Sequence, residues 1–354
     1  MKVAPVWNAV DEETVFQQIM VHTGQHYDAN MSDVFFSDLD MPAPGYYLGV
    51  GSGSHAHQMA AIMMAFENVL LETRPDLVVV YGDVNSTIAA ALVCSKLMVS
   101  VAHVEAGLRS FDRSMPEEIN RLLTDQIADL LFTPSPDANE NLLREGIAPE
   151  KVHLVGNVMI DSLVRIQPVA KKSTILHRLN LHSGEYAILT LHRPSNVDNN
   201  TVLQDLLKGL VRLSQRLPII FPVHPRAQES ISRYISSTIG HNLQLTEPLS
   251  YLDFLRLMSS ARMILTDSGG IQEEATYLGI PCFTLRTNTE RPITVEMGTN
   301  TLVGQDIELV TSRFHKLLEG DNAWDRRLPR GIPLWEGQAA KRIVNILKAW
   351  CHKP

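Results

Sequence analysis

Cysteine is scarce in this chain. Three occur in 354 residues (Cys94, Cys282 and Cys351), far apart and in apolar contexts. An odd and scattered set argues against a disulfide framework or a cysteine-based zinc site and reads as buried thiols in a reducing compartment. Lysine and arginine are outnumbered, 31 against 39 acidic residues, which leaves a net charge of −8 with no basic block. Nucleic acid and anionic membrane are therefore poor partners, although a local site can oppose the global charge. Apolar runs of membrane-span length are missing, and no signal peptide is recognisable, so a cytoplasmic protein is expected. Heptads, internal repeats and low-complexity tracts are also lacking.

What is present is alternation. Apolar runs of strand length fall at Val15–Val21, Leu77–Tyr81, Val99–Val104, Leu130–Thr133, Val152–Val155, Ala187–Leu191, Ile219–Val223, Leu243–Leu245, Met263–Leu265 and Cys282–Leu285. Helical patterns lie between them, at His55–Glu72, Ser86–Leu97, Glu117–Ala128, Val202–Leu217 and Leu252–Ser260. Such alternation predicts an α/β fold with parallel sheets covered by helices on both faces. The chain is too long for one ordinary core. Gln167-Pro168 and Lys171-Lys172 interrupt the pattern and put a boundary near Ile166–Lys172. Two Rossmann-like doubly wound domains follow, 1–166 and 173–335, with the amphipathic helix Gln338–Trp350 packing back on the first. Two such domains facing each other leave a cleft at the carboxyl ends of their strands, where ligands bind.

The most informative stretch runs from Leu265 to Pro281. An apolar strand stops at Thr266-Asp267-Ser268-Gly269-Gly270, and a helix follows, closed by Gly279 and Pro281. Two glycines at a strand-to-helix turn let backbone N–H groups approach a ligand, and a helix N-terminus suits a phosphate. Glu274 lies one helical turn beyond Gly270, where a carboxylate can accept both hydroxyls of a ribose. The combination points to a nucleotide diphosphate.

Other polar clusters also follow predicted strands. Gly82-Asp83-Val84-Asn85-Ser86-Thr87 ends one, and a helix cap by Asp83 or Asn85 explains it as well as chemistry does. Glu105 and Arg109 end another, as a surface ion pair or as site residues. In Met115-Pro-Glu-Glu-Ile-Asn-Arg121, proline and acids in a first turn are ordinary helix chemistry, so Glu117 alone is a weak candidate. His192-Arg193-Pro194 suits proton transfer and phosphate contact, and His224 follows a further strand. Gly49-Val-Gly-Ser-Gly-Ser54 imitates a dinucleotide fingerprint but lacks a buried strand before it, so NAD is not expected. His55 and His57 diverge at a helix start and read as solvent-facing, not as metal ligands. Met59, Met63 and Met64 read as core packing.

Taken in order, these clusters resemble the non-hydrolysing UDP-N-acetylglucosamine 2-epimerases. The matching pieces are Thr23-Gly-Gln-His-Tyr-Asp28, Gly82-Asp83, His103-Val-Glu-Ala-Gly-Leu-Arg109, Pro116-Glu-Glu-Ile-Asn-Arg121, Gly156-Asn157, His192-Arg193, Pro222-Val-His224, Thr266–Glu274 and Thr289-Glu-Arg-Pro292. The resemblance implies the glycosyltransferase-B architecture, a homodimer and a UDP-sugar substrate. It also implies reversible conversion of UDP-GlcNAc to UDP-ManNAc for surface polysaccharide, without NAD, metal or any other cofactor. Asp83, Glu105 and Glu117 are then the acid/base carboxylates, with His192 at the diphosphate or in proton transfer. Ser268, Gly269 and Gly270 would hold the phosphates and Glu274 the ribose, while Arg109, Arg193, His224, Gln272 and Arg291 are further substrate-binding positions.

Two departures stand out. The family opens with a strand and a Gly-Thr/Ala-Arg-Pro loop whose arginine meets the diphosphate. Met1-Lys2 aligns with the end of that loop, so Lys2 keeps a catalytic lysine while the arginine is absent. Some bacterial members bind a second UDP-GlcNAc through a site that Gln25, Arg193 and His224 would match, but Asp28 replaces its polar residue and argues against activation by substrate. Three alternatives share these motifs: an epimerase of a related UDP-diacetamido sugar, a glycosyltransferase-B-type transferase needing an acceptor, and a nucleotide-sugar binder without turnover. The chain as written is expected to be weakly active, with activity rising when upstream residues are added. Equal turnover by both forms, followed by proton NMR, would refute this.

Overall fold

A computed structural model describes residues 1–24, 39, 41–223, 231, 242–320 and 331–351. Gln25, Asp28 and His224, the positions invoked for a second nucleotide sugar, lie outside the described residues. The chain divides into two units, Met1–Val164 with Pro333–Pro354, and Arg165–Ile332. The division falls inside the helix Val158–Ala170, which runs through Pro168. Proline at 168 cannot donate the helical bond to the carbonyl of residue 164. The missing bond thus coincides with the border between units, and the helix ends two residues later.

Unit 1 begins with the helix Val3–Asp11 and holds two short strands, β1 (Val21–His22) and β2 (Tyr46–Tyr47), paired in parallel. Its main sheet is parallel in the order β3 (Leu77–Tyr81), β4 (Ser100–Val104), β5 (Leu130–Thr133), β6 (Val152–Leu154). Alternate side chains supply its two faces. Val101 and Leu131 pack with Phe66, Val69, Leu70 and Val93 of the helices His55–Thr73 and Asn85–Lys96. Ala102, Val104, Leu130 and Phe132 pack on the other face with Val6, Val10, Ile343, Val344 and Leu347.

The last three belong to the C-terminal helix Ala339–Cys351, which is latched to unit 1 by polar contacts. The Asp161 carboxylate accepts the backbone N–H groups of Ala339 and Ala340 at 3.1 and 2.7 Å. Trp335 donates to the Pro134 carbonyl at 2.8 Å, and Arg342 to the Val155 carbonyl at 2.8 Å.

Unit 2 carries a six-stranded parallel sheet made of β7 (Ala187–Thr190), β8 (Ile219–Pro222), β9 (Leu243–Thr246), β10 (Met263–Thr266), β11 (Cys282–Thr284) and β12 (Asn300–Leu302). Their order across the sheet is β12-β11-β10-β7-β8-β9. Ala187, Leu189, Phe221 and Leu265 face a core built with the helices Asn200–Ser214 and Ile307–Leu318, while Ile188, Ile220 and Ile264 are fully buried on the opposite face. The direction of winding reverses between β7 and β10, which is where open α/β sheets bind ligands. Among the described residues no helix is long and apolar enough to cross a membrane.

Three expectations fail locally. Of Val15–Val21 only the last residue enters a ladder, because β2 reaches this segment for just two residues; Val15 and Ile19 stay exposed. Met64 is exposed, the buried stripe of its helix being Ile62, Phe66, Val69 and Leu70. Cys351 is exposed too, while Cys94 and Cys282 are buried.

Gly156 follows β6 with φ +91°, and a Cβ there would fall 2.0 Å from the Leu334 carbonyl oxygen. Gly156→Ala is expected to lower stability by about 1–3 kcal/mol from the left-handed backbone alone, with the clash adding to it. Urea unfolding midpoints measure the change.

Candidate functional site

In unit 1 the ends of β3 and β4 deliver the acidic side chains. β3 runs into Gly82, left-handed at φ +66°, then Asp83. β4 runs into Glu105, which is also left-handed at φ +74°, a conformation that a non-glycine residue holds only under constraint from its surroundings. Its N–H donates to the Phe132 carbonyl at 3.0 Å. The Glu105 carboxylate is nearly buried and paired with the Lys2 ammonium. Both groups press on Gly82: a Cβ there would lie 2.7 Å from Lys2 Nζ and 3.2 Å from Glu105 Oε2.

The helix Pro116–Ile127 braces these turns with its inward polar face. Glu118 accepts from the Ser110 N–H and hydroxyl and from the Phe111 N–H, each at 2.9 Å. Arg121 donates to Glu118 at 2.7 and 3.1 Å and is paired with Asp83. Asn120 donates to the Asp83 carbonyl at 2.9 Å. Asp125 accepts from the Gly107 N–H at 3.1 Å and pairs with Arg109 at 2.7 Å and His103 at 2.6 Å. Burial opposes ionisation of Asp125, yet His103 and Arg109 hold its carboxyl below the usual aspartate value. Glu117 stands half-buried in the first turn of the same helix.

In unit 2 the reversal point gathers a second cluster. The buried Asp267 carboxylate, just past β10, accepts the backbone N–H groups of His192 (3.1 Å) and Arg193 (3.0 Å) and the Asn196 side chain (3.0 Å). It also lies 2.8 Å from His192 Nδ1. Burial works against its charge, but these donors keep its carboxyl below the usual aspartate value. Held at Nδ1, the half-exposed imidazole keeps Nε2 for another partner, the arrangement by which an aspartate orients a working histidine.

The helix Gly269–Leu278 follows Ser268, whose side chain makes no capping bond. A Cβ on Gly269 would lie 2.5 Å from Arg291 Nη1 and 2.6 Å from Glu290 Oε1. Glu290 collects Arg286 at 2.8 Å, Arg291 at 2.6 Å and Arg193 at 3.6 Å. Arginines beside a glycine-opened helix N-terminus supply the charge and donors that suit an anion. Deeper on that helix, Glu274 accepts from the Tyr251 hydroxyl at 2.6 Å. Burial pushes its carboxyl up to about 7, against the lowering effect of the Tyr251 bond and with help from the neighbouring charge of Glu273.

Several sequence expectations change in detail. Glu105 and Arg109 do not pair: Glu105 takes Lys2, and the buried Arg109 grips Glu145 at 2.6 and 2.8 Å besides Asp125. Its guanidinium is buried inside unit 1 between these carboxylates. Gln272 is likewise fully buried, its carboxamide bound to Thr289, Asn300 and the Ser268 carbonyl. Neither Asp83 nor Asn85 caps the helix Asn85–Lys96 with its side chain. Ser268 and Gly270 are half-buried at the start of their helix, and His55 and His57 are exposed. Sequence reasoning missed Asp267, Glu290, Tyr251, Glu118 and Arg121 as organising residues. Asp267, Glu290, Glu118 and Arg121 stood inside motifs already singled out, but spacing alone does not reveal their partners.

The sequence model for the family described as UDP-N-acetylglucosamine 2-epimerase matches residues 8–348. The chain belongs to that family. The UDP-N-acetylglucosamine 2-epimerase of Methanocaldococcus jannaschii is 42% identical to it, across 98% of this chain and 95% of that protein. A crystal structure of the M. jannaschii UDP-GlcNAc 2-epimerase in complex with UDP-GlcNAc and UDP superposes with a TM-score of 0.89 at 43% identity, across 98% of this chain and 96% of that one. A UDP-2,3-diacetamido-2,3-dideoxy-D-glucuronate 2-epimerase of Pseudomonas aeruginosa is 39% identical, across 98% and 96%. The two parallel α/β units are accordingly the glycosyltransferase-B-like architecture of this epimerase family.

The raised carboxyl of Glu274 has a thermodynamic consequence. Below 4.5, the ordinary glutamate value, folded and unfolded chains both hold its proton; between 4.5 and about 7 only the folded chain does. Stability therefore falls as pH rises through that window, by up to about 3 kcal/mol. Glu274→Gln is expected to flatten this dependence, as read from urea midpoints across the same range.

Proposed function

We propose that this chain interconverts UDP-GlcNAc and UDP-ManNAc by eliminating UDP and adding it back. A carboxylate takes the C2 proton while the C1–oxygen bond to UDP breaks, leaving a C1–C2 double bond in 2-acetamidoglucal. UDP then returns its oxygen to C1 as C2 receives a proton on the opposite face. The C2–H is a weak acid, so the step demands a well-placed base and stabilisation of the departing diphosphate.

The observation that carries this reading is Glu105. It is held in a left-handed conformation at a strand end, paired with Lys2, and pressed against the Gly82–Asp83 turn. Asp83, Glu105 and Glu117 serve as the acid/base carboxylates. Lys2 pairs with Glu105 and holds its carboxylate in place. His192, oriented by Asp267, acts at the diphosphate or in proton transfer. Ser268, Gly269, Gly270, Arg193 and Arg291 take the phosphates, Glu274 takes the ribose hydroxyls, and Arg109 and Gln272 act from beneath as supports. A homodimer belongs to the same reading and is checked by sedimentation.

A second substrate has a specific observation in its favour. The P. aeruginosa diacetamido-glucuronate epimerase is almost as similar as the UDP-GlcNAc enzyme of M. jannaschii, 39% against 42%. Incubating each UDP sugar with the chain in D2O and following C2 by proton NMR separates the two. Deuterium at C2 of UDP-GlcNAc with UDP-ManNAc appearing, and no acceptor added, supports the proposal. Exchange confined to the diacetamido sugar selects the second substrate, while UDP binding with C2–H untouched in both leaves a binder. Glu105→Gln is expected to slow exchange by about 100-fold or more while UDP still binds.

A further inference from the structure

His103 is fully buried on β4, in register with Val80 of β3. Its Nδ1 lies 2.6 Å from Asp125 Oδ1 and its Nε2 lies 2.8 Å from the Gly82 carbonyl oxygen. Both neighbours are oxygen acceptors. A neutral imidazole carries one N–H, so its other nitrogen would set a lone pair against an oxygen lone pair. A proton on Asp125 Oδ1, donated to Nδ1, would also remove the conflict, but Oδ2 already accepts from the Gly107 N–H and pairs with Arg109. Both donors favour the carboxylate. A ring protonated at both nitrogens satisfies every contact.

Gly82 is thereby gripped on two sides. Its N–H donates to the Val104 carbonyl at 3.0 Å and its own carbonyl accepts from His103. The next residue is Asp83, whose carbonyl is held by Asn120 and whose carboxylate is held by Arg121. Turning the 82–83 peptide would break the His103 bond and swing the Asp83 carboxylate away from Arg121.

We propose that His103 is a positioning residue for the C2 chemistry: held as an imidazolium between Asp125 and the Gly82 carbonyl, it fixes the peptide that carries Asp83. The inference rests on the reading of Asp83 as an acid/base carboxylate. The charges around it, buried Asp125 and Arg109 with half-buried Glu145, then balance: two cations against two anions.

Two measurements test it on the full chain. Nitrogen NMR of ring-labelled histidine, assigned by the signal lost in His103→Gln, is expected to show a proton on both nitrogens of His103 at neutral pH. A single-N–H tautomer would overturn the proposal, and this readout needs no variant to be active. In steady-state epimerisation, His103→Gln keeps a donor but no charge. Its kcat is expected to fall about 10- to 100-fold, with KM and UDP affinity changed by less than about threefold. In an Asp83→Asn background the same substitution is expected to add little, because both act on one group. An unchanged kcat in a folded His103→Gln chain, or losses that multiply fully in the double variant, would refute the positioning role. If Asp83→Asn alone left kcat intact, the assignment of Asp83 would fall, while the protonation of His103 would still be decided by NMR.

Discussion

Ions taken out of water must be matched by ions or donors, and in unit 1 that demand converges on the helix Pro116–Ile127. Glu118, Arg121 and Asp125 recur at three- and four-residue spacing, so they share its inward face. Each is buried and each is answered by a different piece of chain: Glu118 by the Ser110–Phe111 loop, Arg121 by Asp83, Asp125 by His103, Gly107 and Arg109. Removing one partner from such a set leaves an uncompensated buried charge at a penalty of roughly 3–5 kcal/mol. The loops after β3 and β4 are therefore fixed by electrostatics rather than by apolar packing. The acidic side chains they bear inherit that rigidity.

Unit 2 applies the same logic with one carboxylate. Asp267 stands where the winding of the sheet reverses and gathers the start of the segment after β7, through two backbone N–H groups and the His192 ring. The first and fourth strands of the unit are neighbours in the sheet, so a residue after one can organise the loop after the other. Beside it, Glu290 keeps Arg193, Arg286 and Arg291 close to the N-terminus of the Gly269–Leu278 helix. Arginines that would repel one another are thus held together near the place where an anion is proposed to bind.

The strands were largely legible because each is a short apolar run bounded by glycine, proline or acid, and burial on both faces leaves little choice of residue. Leu77–Tyr81 and Leu130–Thr133 coincide with their expected limits. Val15–Val21 misled because an apolar run becomes a strand only where a neighbour accepts its ladder. In the site, Asp83, Glu105 and His192 were visible as polar residues at strand ends. Arg109 was visible for the same reason and Gln272 only through the family resemblance, yet both side chains are buried; position in the chain does not encode which way a long side chain turns. Asp267 and Tyr251 act through partners distant in the chain, as Glu290 does through Arg193, and one sequence carries no trace of such pairings.

Glu105 sits in a backbone conformation that suits glycine, and any other side chain there adds roughly 1–3 kcal/mol of strain. The carboxylate is thus kept at the expense of the fold. Replacement by glycine would relax the backbone and remove the carboxylate proposed as acid/base in the same step. Selection for thermal robustness alone would therefore drift away from glutamate at this position, and under the proposed role only selection that includes turnover would retain the acid.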